Sequence, residues 1–96
     1  MRRRGQNAQI ELDAMKLAIA VKVVSRFTPE EIRKKSLQNL ANWKAISSWV
    51  PAYDEWSAIL NSGNDELLIK TMTGADENSN RLRQSMPYVG LLRKST

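Results

Sequence analysis

Thr28-Pro29-Glu30-Glu31 constrains this chain more than any other stretch of it. A threonine side chain at a helix start accepts from the backbone three residues on, and a glutamate there returns the bond. Proline suits the first helical position, where its missing N–H costs nothing. The segment therefore predicts a helix that begins at Pro29. Any helix upstream must end by Phe27, so the first fifty residues divide into two helices joined by a minimal turn.

The upstream helix is predicted over residues 9–27. Ile10, Ala14, Leu17, Val21 and Val24 recur at alternating spacings of four and three, an unbroken a/d stripe. Ala18, Ala20, Val23 and Phe27 widen the apolar surface beyond a narrow seam. A helix this apolar needs cover on more than one side. At 96 residues the chain forms one domain at most, with a small core. Oligomerisation is therefore expected, as a homodimer or a hetero-complex built on this helix.

The second helix is predicted from Pro29 to about Ser48, with Ile32, Leu40, Trp43, Ile46 and Val50 on one face. Arg33, Lys34 and Lys35 fall outside that face or at its edge and suit solvent. Pro51 then breaks the pattern, and three windows follow at a period of eleven: 53–63, 64–74 and 75–85. Each carries an Asp-Glu pair near its start, at 54–55, 65–66 and 76–77. Acids favour the first turn of a helix. Gly63 and Gly74 close the first two windows, and glycine suits the left-handed position past a helix end. The windows read as three short helices. Residues 86–96 hold Pro87 and Gly90 and predict no regular helix, although Met86, Tyr88, Val89, Leu91 and Leu92 are apolar. This tail either packs back on the core or docks on a partner.

No run alternates at period two for long enough to predict a strand. The expected fold is all-α: a small bundle of four to five helices, with a long apolar first helix and three short C-terminal ones. Residues 1–8 are expected to be a disordered basic arm and 9–96 a single domain. Residues 1–4 begin like a signal peptide, but Leu17–Val24 comes too late and contains Lys22. No stretch approaches the roughly 18 apolar residues that cross a bilayer. A cytoplasmic protein with no membrane association is the expectation.

Composition narrows the chemistry. The chain has no His and no Cys, which removes the usual general base, the thiol nucleophile and the common zinc ligands. Neither a calcium loop nor a phosphate loop occurs, so no metal, no cofactor and no enzymatic activity are expected. The net charge of +5 is segregated: residues 1–50 carry +6, residues 51–77 carry −5 and residues 78–96 carry +4. Acids at helix starts account for much of the middle.

Two functional classes follow. The first is a small regulatory protein that binds DNA. Arg2, Arg3 and Arg4 suit phosphate oxygens. A polar helix over 76–85 would present Asn80, Arg81, Arg83 and Gln84, side chains that read base edges. With the helix before it, this gives a helix-turn-helix-like layout. The competing reading pairs Arg81 and Arg83 with the acidic middle. The second class is a protein–protein adaptor or an antitoxin-like neutralising partner, with Leu17, Val21, Val24, Trp49, Tyr88 and Leu91 at its interface. Trp49 is either an exposed anchor or, with Trp43, Tyr53 and Trp56, part of a packed corner. The format is shared by many small bacterial or phage regulators, but no motif ties the chain to one family.

Overall fold

The computed structural model describes residues 4–94, with side chains for 10–92. Among these residues the chain is helical, with no strand: α1 (Arg4–Arg26), α2 (Pro29–Ala45), α3 (Pro51–Asn61), α4 (Asp65–Thr73), α5 (Glu77–Arg83) and a final turn, α6 (Leu91–Lys94). The expected small all-α bundle is what forms. Its first helix begins at Arg4 rather than at residue 9, so residues 4–8 continue α1. Arg2 and Arg3 lie outside the described residues.

The capping box forms as the sequence predicts. Glu31 N donates to Thr28 Oγ1 at 3.1 Å, and Thr28 N donates to Glu31 Oε1 at 2.8 Å. The other end of α2 differs from expectation. The helix stops at Ala45, because Ser47 takes φ +62° and turns the chain. Ser48 N then donates to Trp43 O at 2.8 Å and Ser47 N to Lys44 O at 3.1 Å. This is a Schellman ending with serine where glycine is usual. Ile46 and Val50 consequently leave the apolar face, and Ile46 is 71% exposed.

The three short helices match the three windows. Each of the last two has its own cap: Asn64 accepts from Leu67 N, and Asp76 accepts from Ser79 N. Asp54 and Glu55 lie inside α3, whose start is set by Pro51. Gly63 is left-handed at φ +72°, as expected, but Gly74 is extended at φ −69°. Glycine stands at 74 for room: a Cβ there would lie 2.6 Å from Lys70 O and 2.7 Å from Asp76 Oδ1.

The core draws one row of side chains from each helix: Ala20 and Val23, Ile32 and Leu40, Trp56 and Leu60, Leu68 and Met72, and Leu82. Trp56 donates its indole N–H to Leu82 O at 2.8 Å and meets the Tyr88 ring edge-on at 5.8 Å. The tail packs back. Pro87, Tyr88 and Leu91 are buried, and the Asn39 amide donates to both Pro87 O and Val89 O.

Candidate interaction surfaces

The side chains nominated for base reading are occupied within the fold. Arg83 is 1% exposed. It donates to Met72 O at 2.9 Å, more weakly to Thr71 O at 3.4 Å, and to Asn80 Oδ1. The two carbonyls belong to the last turn of α4, where orphan acceptors and the negative dipole end favour a cation. Arg83 is thus a capping group for its neighbour helix, and Asn80 is its second acceptor. Arg33 does the same for α3: its Nε donates to Leu60 O at 2.9 Å, and its Nη2 pairs with Asp65 at 2.6 Å.

Arg81 lies outside, where it forks onto both Glu55 oxygens at 2.8 and 2.7 Å and also donates to Asn78. That hydrogen-bonded ion pair lowers the Glu55 carboxyl and raises the guanidinium, each from its ordinary value. Glu55 supplies an acid from the negative middle, so Arg81 follows the competing sequence reading. Gln84 bridges to α1, donating to Asp13 Oδ1 at 2.7 Å and accepting from Lys16 Nζ at 2.9 Å. The basic and polar C-terminal segment therefore has structural work that charge counting alone did not reveal. Of these four residues, Arg83 is enclosed, Asn80 is held by Arg83 within α5 and Gln84 is tied to α1.

The residues nominated for a protein interface divide. Tyr88 and Leu91 belong to the core and present no surface. Burial pushes the Tyr88 phenol well above its ordinary value, and its hydroxyl has no hydrogen-bond partner among the described residues. Trp49 is half-buried at the corner between α2 and α3. Its ring meets Tyr53 edge-on at 5.2 Å, its N–H donates to Asp54 at 3.1 Å, and Trp43 stacks on Tyr53 at 5.0 Å. A packed corner forms from Trp43, Trp49 and Tyr53, while Trp56, expected there too, lies in the core against Tyr88 and Leu82.

On α1 the stripe and the buried face are different. The bundle covers Ala20 and Val23 fully, and Asp13, Lys16, Ile19 and Phe27 in part. The a/d stripe turns toward one flank. Leu17 and Val24 are half-buried, Ala14 is exposed, Val21 is 50% exposed and Ile10 is 60% exposed. Periodicity located the stripe but not the side that faces the bundle, because the covered row includes Asp13 and Lys16, which are satisfied by Gln84.

An apolar cleft of about 250 Å³ runs between α1 and the tail, lined by Ile19, Val23, Met86 and Val89. Among the described residues no three Asp or Glu side chains gather as a metal site, and no helix is long and apolar enough to cross a membrane. Comparison with family models, with curated proteins and with solved structures finds no match for the chain.

Proposed function

We propose that this is a small, non-enzymatic binding protein that works by holding another protein against the apolar flank of α1. The observation that carries the reading is the exposure of Ile10, Ala14 and Val21 along one helical stripe. Large apolar side chains gathered in one exposed patch mark an interaction surface. The DNA-reading alternative loses support where Arg83 is enclosed and Gln84 is tied to α1. The absence of His and Cys supports a role other than catalysis. A neutralising partner of the antitoxin kind is one form such a protein takes, and a cytoplasmic setting suits it.

Native co-purification tests this, with Val21→Asp as the control. Val21 is exposed, so the variant keeps its fold, while a charge enters the apolar stripe. A protein, whether an untagged second copy of this chain or a different chain, that accompanies the tagged wild type and is lost with Val21→Asp is the expected result. Nucleic acid that accompanies both, and is lost when residues 1–5 are deleted, would overturn the reading. In that case affinity would fall steeply with salt as phosphate contacts release counterions.

A further inference from the structure

We infer that the α1 flank is built for a second copy of this chain, packed antiparallel along the same helix. This rests on the reading of α1 as a protein-binding face and names its occupant. The stripe spans fifteen residues, from Ile10 to Val24, or about 21 Å at the rise of an α-helix. Its alternation of four and three is the spacing that a partner helix meets as a seam.

Three observations choose the second copy and its direction. The first is cover. Leu12 stands on the row that continues to Lys16 and Ala20, yet it is 45% exposed, because the bundle does not extend to that end of α1. Among residues 10–15, Ile10, Leu12 and Met15 are exposed and only Asp13 is partly covered, while Ala20 and Val23 are buried against the bundle. An antiparallel copy on the stripe lays its C-terminal end, beside the bundle-packed Val23, against the exposed Ile10 of the first; Leu12 and Met15 lie on other sides of α1, outside this contact. A helical stretch this short is marginal without such packing.

The second is size. The a/d register that sets Ile10 level with Val21 of the second copy also sets Ala14 level with Leu17. The small Ala14 then receives the larger Leu17, and the two-fold repeats both layers, while Val24 falls level with Asn7 at the end of the seam. Ala18 beside Ala14 lets the backbones approach.

The third is charge. Glu11 and Lys22 are both exposed, on the same border of the stripe. In this register Glu11 comes within one turn of Lys22 of the second copy, and the symmetry makes the pair twice. A parallel copy, related by a two-fold along the seam, would place its Glu11 and Lys22 border on the opposite side and would form neither pair. One helix face is small beside the ~800 Å² that a standard interface buries per partner, so a dimer of micromolar affinity fits.

Sedimentation equilibrium and cysteine cross-linking test this on the full chain, which has no cysteine of its own. The wild type is expected to dimerise in the micromolar range, and Val21→Asp to raise Kd about tenfold or more. Lys22→Glu is expected to weaken the dimer, and Glu11→Lys added to it to restore the dimer. Under oxidation, an equal mixture of Ile10→Cys and Val21→Cys chains should cross-link, whereas Ile10→Cys alone should not, since its two copies would lie about 16 Å apart. A folded monomer across this range overturns the second copy. The face then remains open to a different protein, which the co-purification with Val21→Asp decides separately. Efficient cross-linking of Ile10→Cys to itself would overturn the antiparallel arrangement.

Discussion

Replacing Arg83 with alanine should cost about 4 kcal/mol of folding stability. The guanidinium is enclosed and donates to Met72 O and to Asn80 Oδ1. Losing a charge-assisted bond costs about 2 kcal/mol, because the acceptor stays buried and unpaired. Emptying the volume of so long a side chain adds about 2 kcal/mol more. A small domain has only about 5–15 kcal/mol in total. With a urea slope of about 1.3 kcal/mol/M, the midpoint falls by about 3 M. Arg83→Lys keeps the charge but loses the fork, and its midpoint should fall by about 1.5 M. Urea titration followed by circular dichroism measures both. A base-reading arginine would stand in solvent, and its removal would leave stability unchanged. An Arg83→Ala midpoint within about 0.4 M of the wild type would therefore refute the capping role.

Three further outcomes are expected. Thr28→Ala should cost about 1 kcal/mol through loss of the capping box, read as a lower urea midpoint. Ser47→Gly should stabilise by about 0.5–1 kcal/mol, since serine is strained at φ +62° and glycine is not, read as a higher melting temperature. Asp76 has its carboxyl held below the ordinary 3.8, first by the Ser79 hydroxyl and then by the Ser79 backbone N–H. A lowered folded-state value gives stability that is present above the ordinary value and lost as pH falls through the folded one. Asp76→Asn keeps a capping oxygen but does not titrate there. The wild type should therefore lose ground to the variant between about pH 5 and pH 2, as urea midpoints would show.

Local chemistry was legible and remote chemistry was not. The Thr28–Glu31 box depends on residues three apart, and it formed as written. The left-handed Gly63 is equally local. Gly74 marks a junction for a different reason from the expected one, because the need for room comes from Lys70 O and Asp76. Arg83 was ambiguous in principle: a planar fork suits guanine and suits the carbonyl end of a helix. Only the fold brings Met72 O beside it. The α1 stripe shows the same limit. Apolar spacing picks out the most hydrophobic flank, whereas the bundle took the row with Asp13 and Lys16, whose partner Gln84 lies some seventy residues away. Ile46 and Val50 left their face because a serine adopted a left-handed turn that its type does not advertise.

The indole protons provide a built-in pair of clocks. The Trp56 proton is held at Leu82 O, on the seam where α3 meets α5. Solvent deuterium reaches it only when that seam opens, so its exchange rate times an opening of the interior. The Trp49 proton is held at the rim by Asp54 and exchanges as soon as one surface bond breaks. Indole resonances stand apart from the backbone amides, so a single spectrum follows both. If Trp56 exchanges on the timescale of global unfolding, the short helices α3, α4 and α5 open only together. If it exchanges faster, α5 lifts away while the rest of the bundle stays closed.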